Sequence, residues 1–304
     1  MNTDLITPET LAASVISVPP LARNPDLSPN RAENEKQIRH LEAGGVTTLL
    51  YGGNAILYHV GLSEYADLVE MLAESTGDDT LVIPSVGPSY GAMMDQAVIL
   101  YDMPFPTAMI LPTRDVVTPD GVATAVRHFV EMVNRPAVLY IKHDGFIDVA
   151  RVKQLMDDGL LSWIKYAIVR DDTSNDDYLR ELVDTVGPSR IVSGIGEQPA
   201  ITHLREFGLT SFTSGCVCVA PRLSMQMLRA IKAGDFAKAD EIRRVFSPLE
   251  DLRNAINPVR VLHTAVTLSG IAAMGPLMPL LCEVGEDDAA EIGAAAKQLL
   301  ANNH

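Results

Sequence analysis

The sequence is short of several things, and each shortage excludes a class of protein. Cysteine is scarce, with only Cys216, Cys218 and Cys282 in 304 residues. An odd, sparse set without framework spacing excludes a disulfide scaffold and suits a reducing cytoplasm. One residue separates Cys216 from Cys218, which is too close for a CxxC redox or zinc pattern, so the thiols read as structural. The seven histidines show no metal-ligand spacing, and neither a metal nor a cofactor is expected. No apolar run reaches about 18 residues, the length a membrane span needs. The N-terminus lacks a basic region followed by an apolar core, so no secretory signal is expected. Basic residues are outnumbered 24 to 39, for a formal net charge of −15. That balance argues against nucleic acid or an anionic membrane surface as partner. It leaves room for a small anionic substrate, because the local field of a pocket can oppose the global one.

What is present is a regular alternation over an ample apolar content of 47%. Ala12 to Pro20 reads as a first strand, and Arg31 to Gly44 as a helix stopped by Gly44 and Gly45. Val46 to Gly53 is β-branched and bounded by glycine, as strands are. Leu62 to Thr76 is an amphipathic helix with Ser63 as the expected N-cap. Strands follow at Thr80 to Gly87, Thr107 to Pro112, Ala137 to Lys142, Leu161 to Val169, Arg190 to Gly194 and Ser211 to Gly215. Between and after them come helices at Gly91 to Tyr101, Pro119 to Val133, Asp148 to Asp157, Asn175 to Val186, Gln198 to Phe207 and Pro221 to Ala233. Eight strand–helix units predict an α/β protein of the (β/α)8 TIM-barrel class. The first strand is not followed by a glycine fingerprint, which weakens a dinucleotide-binding reading. Residues 1–234 are assigned to the barrel and 235–304 to a C-terminal helical extension packed on it, built from Asp235 to Ile256, Pro258 to Ser269 and Gly285 to Ala301.

The stretch LSWIKYAIVRDD, Leu161 to Asp172, carries a lysine in the middle of an apolar strand. A desolvated ammonium is expensive, so such a lysine calls for a reason. Burial lowers its pKa and makes the neutral, nucleophilic amine accessible, which is what a Schiff base with a carbonyl substrate requires. The competing reading is a strand-end lysine with its stem buried and its head in water. In a (β/α)8 barrel the active site forms at the C-terminal ends of the strands. Those ends collect Gly52, Gly53 and Asn54; Leu111 to Arg114; Tyr140 and Lys142; Lys165; Ser193 and Gly194; and Thr213 and Ser214. A tyrosine one strand before the lysine can shuttle protons during imine formation and breakdown. Tyr140 read alone is equally an aromatic strand residue with a satisfied hydroxyl.

Several stretches together resemble the dihydrodipicolinate synthase / N-acetylneuraminate lyase family of Schiff-base aldolases, across nearly the whole chain. They are GGVTTLLYGGNA followed by LSEY, RPAVLY at Arg135 to Tyr140, SWIKYA around Lys165, IVSGIGE, TSGCVCVAP ending at Pro221, and NPVRVLH at Asn257 to His263. The resemblance implies a class I lyase acting on a 2-oxo acid, by aldol cleavage, condensation or sugar-acid dehydration. It implies Lys165 as the Schiff-base lysine, Tyr140 as the proton relay, and a homotetramer built as a dimer of dimers.

The departures bear on substrate. Where the family has two adjacent hydroxyl residues that hold the 2-oxo acid carboxylate, this chain has Asn54 and Ala55. The family's tyrosine pair at the fourth strand is Thr113 and Arg114, and its asparagine before Pro221 is Cys218. The substrate-binding set therefore reads Gly53, Asn54, Ala55, Arg114, Lys142, Gly194 and Thr213. Arg114 or Arg170 would replace the lost hydroxyls with a bidentate carboxylate contact, although Asp171 and Asp172 favour a solvated Arg170. Lys142 falls on the same strand face as Tyr140, either to lower the pKa of Lys165 or to bind substrate. His59 and His143 are acid–base candidates whose alternative is a merely polar loop residue. The same departures motivate a second reading, a ligand-binding barrel that has lost the family reaction.

Overall fold

The computed structural model describes residues 1–304. The chain opens with a short helix, α1 (Pro8–Ala13), capped by the Thr7 hydroxyl, and only then enters β1 (Ile16–Ser17). The expected first strand is therefore shorter than its apolar run. Pro8 and the Thr7 cap start a helix that takes Ala12 and Ala13 with it. There follow α2 (Arg31–Ala43), β2 (Thr48–Leu50), α3 (Leu62–Glu74), β3 (Leu81–Ile83), β4 (Ser85–Val86), α4 (Tyr90–Tyr101), β5 (Met109–Ile110) and α5 (Pro119–Val133). The second half holds β6 (Ala137–Ile141), α6 (Val149–Asp157), β7 (Leu161–Tyr166), α7 (Asp177–Val186), β8 (Ile191–Ser193), α8 (Ala200–Glu206), β9 (Thr213–Ser214) and α9 (Pro221–Lys232). The cap of α3 is Gly61, without a side-chain bond, and not Ser63.

The strands are parallel, in the orders β3-β2-β1-β9 and β4-β5-β6-β7-β8. Proline lacks the N–H that a ladder needs, and Pro84 splits β3 from β4 within what is one stave. The nine runs thus make eight staves. A parallel bridge between Ser193 and Phe212 joins β8 to the approach of β9 and closes the barrel. Both faces of every stave are covered, by side chains inside and helices outside, so the strands read as continuous apolar runs. All residues of β6 and β7 are buried, Lys165 among them.

Three further helices complete the chain: α10 (Phe236–Ala255), α11 (Pro258–Leu268) and α12 (Glu286–Ala301). α10 packs against α9, and α11 and α12 pack against each other and against α10. One cluster of 82 buried apolar residues runs from Leu11 to Leu299, so barrel and extension share a core. No helix is long and apolar enough to cross a membrane.

Candidate active site

The site is built from the register of two strands. Tyr140 on β6 pairs directly with Lys165 on β7. Past an irregularity at the start of β7, alternation turns Trp163 and Lys165 to one face and Ile164 and Tyr166 to the other. Tyr166 looks outward, donating its hydroxyl to Asp176 and stacking on Tyr178. Lys165 looks inward, into a cavity of about 300 Å³ at the C-terminal ends of the strands. Its Nζ lies over the Tyr140 ring, 4.4 Å from the centroid.

Lys165 is only 5% exposed. Burial lowers its pKa from 10.5 to about 7, with the charges of Lys142 and Arg253 as smaller causes. At neutral pH a large share of the amine is therefore free, without any carboxylate to accept its proton. Burial also raises the Tyr140 phenol, with Tyr58 contributing, so its hydroxyl stays protonated and able to donate.

Gly194 shows why glycine stands at the end of β8. A Cβ there would meet Ala167 Cβ and the Tyr166 carbonyl at 2.7 Å and Lys165 Cγ at 3.1 Å. The Gly194 N–H donates to that same carbonyl at 2.6 Å. The backbone of β8 is thus pressed against the stem of the lysine and holds it in the barrel. Gly52 is similarly enclosed, with Met109 Cε 2.8 Å from where its Cβ would be.

Of the residues expected at the site, Gly53, Asn54, Tyr140, Lys142, Lys165, Gly194 and Thr213 line the cavity. Asn54 already donates one amide N–H to the Val18 carbonyl at 2.7 Å, leaving the second for another acceptor. Lys142 is exposed at the mouth, and its pKa is lowered by desolvation and then by Arg114. His59 also lines the cavity.

Other expectations need correction. Ala55 is not on the wall but buried in the core at 1% exposure. A tight turn returns the Ile56 N–H to the Gly53 carbonyl, with Ile56 in the left-handed region at φ 57°, and this turns Ala55 inward. Arg114 is exposed and outside the wall of its own chain's cavity. Arg170 is neither a carboxylate anchor in the cavity nor a freely solvated side chain, but half-buried and paired with Asp144 and Asp176. His143 is engaged by the Thr113 and Asp144 carbonyls. Ser193 and Ser214 face outward, to His203 and Glu197.

Tyr58 and Arg253 are two among several wall residues that escaped the sequence reading. Tyr58 sits in a short 3-10 turn, Leu57–His59, its ring beside Gly53 and its phenol pushed up to about 12 by burial. Arg253 comes from α10. It did leave a signal: Ile242, Phe246 and Leu249 form the buried stripe of α10, and residue 253 continues that spacing. An arginine on a buried stripe asks for an explanation for the same reason as a lysine in an apolar strand. Among the residues present, no group of histidine, cysteine, aspartate and glutamate could hold a metal.

Comparison with known proteins agrees with this fold. The model of the dihydrodipicolinate synthetase family matches residues 24–299. No curated protein matches. Among solved structures, the chain is similar to the dihydrodipicolinate synthase of Bacillus clausii, with a TM-score of 0.81 and 22% identity over 94% of this chain and 97% of that one. It is similar to YagE, a prophage protein of the dihydrodipicolinic acid synthase family from E. coli K12 in complex with pyruvate (TM-score 0.81, 19% identity, 94% and 98% covered). It is also similar to the sialic acid aldolase of Ruminococcus gnavus (TM-score 0.82, 12% identity, 95% and 98% covered). At these identities the structural likeness speaks to the fold.

Proposed function

The chain belongs to the dihydrodipicolinate synthetase family, and from that premise we propose that it is a class I lyase that forms a Schiff base between Lys165 and a 2-oxo acid. The observation that carries this reading is the lysine itself. It is buried in an apolar strand, free of any carboxylate partner, with a pKa of about 7, against the ring of Tyr140.

The neutral amine attacks the ketone carbon. A C–N bond forms, the former carbonyl oxygen leaves as water, and the positively charged imine that remains withdraws electrons from the adjacent carbon. That sink permits carbon–carbon cleavage, condensation, or loss of water from a sugar acid. Tyr140, buried and protonated, gives and takes back the proton needed at the oxygen. Tyr58, close enough to perturb Tyr140, supplies a second hydroxyl to the relay. Gly53 and Gly194 let backbone approach the reacting atoms. The family relationship favours a homotetramer, and the free thiols of Cys216, Cys218 and Cys282 suit the cytoplasm.

Borohydride reduction in the presence of a panel of 2-oxo acids tests the reading. The expected result is one stable adduct on Lys165, found by peptide mass mapping and absent from Lys165→Ala. Labelling of Lys142 would move the chemistry to β6. No adduct with any member of the panel would leave a non-catalytic barrel as the better account.

A further inference from the structure

The cavity is unlike the rest of the molecule in charge. Its wall carries three cationic side chains, Lys142, Lys165 and Arg253, and no aspartate or glutamate. The whole chain, by contrast, has a formal net charge of −15. A positive pocket on so acidic a protein is a local arrangement and cannot be a by-product of composition.

Arg253 is the unexplained member. Its polar contacts are neutral: the Pro258 carbonyl at 3.3 Å and the Cys216 sulfur at 3.9 Å. The acids nearest to it are occupied elsewhere. Glu197 accepts from the Ser214 and Ser224 hydroxyls, both at 2.7 Å, and Glu250 accepts from the Glu197 N–H at 2.9 Å. Burial raises the pKa of both carboxyls, and Glu197 raises that of Glu250 further while the bond to Glu250 favours a charged Glu197, so the pair does not supply two negative charges to neutralise the arginine. Arg253 is half-buried, and an arginine cannot lose its proton to relieve the partial desolvation. The backbone has also been cleared for it. A Cβ on Gly215, just past the end of β9, would meet Arg253 Nη2 at 2.7 Å and Cζ at 2.8 Å.

Placement round the barrel then matters. Lys142 follows β6, Lys165 stands on β7, and Arg253 lies over the end of β9, three staves from β6. The reacting amine is therefore flanked by a cation on each side. A 2-oxo acid with one carboxylate satisfies one of them and leaves the other without a counter-charge. We infer that Arg253 is an anion-binding, specificity-determining residue, and that with Lys142 it selects 2-oxo acids bearing a second carboxylate. The inference rests on the Schiff-base reading and deepens it. The family's hydroxyl pair is missing at Asn54 and Ala55, so anion recognition here falls to cations on the far side and at the mouth.

The test uses the intact protein and pairs of acids matched in length: 2-oxopentanoate against 2-oxoglutarate, and 2-oxohexanoate against 2-oxoadipate. The concentration giving half-maximal borohydride trapping at Lys165 is measured for each. We expect the diacid to require at least tenfold less than its matched monoacid. Arg253→Gln should remove most of that ratio while still trapping monoacids, and Arg253→Lys should keep part of it. A structural role for Arg253 would weaken both acids alike and leave the ratio intact. A wild-type ratio near one, with monoacids trapped, overturns the inference and leaves the Schiff-base reading standing. Because this ratio is read on the unsubstituted protein, a value near one overturns the inference even if Arg253→Gln fails to fold, and Arg253→Lys then carries the assignment to Arg253. No trapping of any of these four acids overturns the inference, and the imine chemistry falls with it only if the wider panel of 2-oxo acids also gives no adduct.

Discussion

Lys165 is the residue from which a pH dependence follows. The nucleophile is the neutral amine, and the folded pKa is about 7. The rate of imine trapping should therefore climb as pH rises through about 7 and level off above it, measured under saturating acid at constant ionic strength. A midpoint near the ordinary lysine value of 10.5 would mean that the amine is not desolvated in solution. The same shift affects stability. Between about 7 and 10.5 the unfolded chain holds a proton on this lysine that the folded chain has released. The unfolded state binds more protons in that window, so this group's contribution to stability rises with pH across it. Lys165→Met removes the cost of burying the amine. The variant should melt above the wild type at pH 7, with the gap narrowing towards pH 10.

At the scale of the element, β7 and β8 act as a pair. β7 presents the lysine, and the end of β8 fixes its stem through the absence of a side chain at Gly194. A Gly194→Ala methyl has a backbone carbonyl and a buried alanine within 2.7 Å, neither of which can swing away. Overpacking of this kind costs about 1–3 kcal/mol. Urea denaturation should show that loss. Imine trapping should slow by more than the remaining folded fraction explains, because the β8 backbone can relieve the clash only by moving off the lysine stem. A variant as stable and as reactive as the wild type would show that β8 and Lys165 are not in this contact. Sequence pattern had marked Gly194 as a strand-end glycine. It could not say which neighbour required it, because the close approach is between residues 29 positions apart, 165 and 194.

For the whole molecule, the question is whether the C-terminal helices are an appendage or part of the barrel. Phe246 of α10, Val261 of α11 and Ile292 of α12 belong to the same buried cluster as Trp163 of β7. The single tryptophan, fully buried, reports on the barrel, while far-UV circular dichroism is weighted towards helices, α10 to α12 included. The two probes should lose signal in one coincident transition in urea. An earlier loss of helical signal would mean that the extension unfolds by itself. Coupling would also give Arg253 its function, since an anion-binding side chain must be held on a rigid element to discriminate between substrates.

The sequence by itself determined the staves, the helices and the central pair. Strand and helix patterns are local, and a lone lysine in an apolar strand carries its chemistry in its own neighbourhood. Alternation was enough to place Tyr140 and Lys142 on one face. Family resemblance gave Lys165 and Tyr140 their expected roles. What only the tertiary structure decided was which other groups meet them. Ala55 was counted with its neighbours at the β2 end, but a turn stabilised by a left-handed Ile56 sends it into the core. Arg114 and Arg170 were the arginines that sequence offered for a carboxylate, yet one is exposed outside its own chain's cavity and the other is paired with Asp144 and Asp176. Arg253 was passed over because it lies 88 residues beyond Lys165, in a helix of the extension, 253 against 165. Its approach to the cavity depends on how α10 lies over the end of β9 and on the bare backbone of Gly215. The periodicity of one helix says which face is buried, but the partner of that face is set by packing between elements distant in the chain.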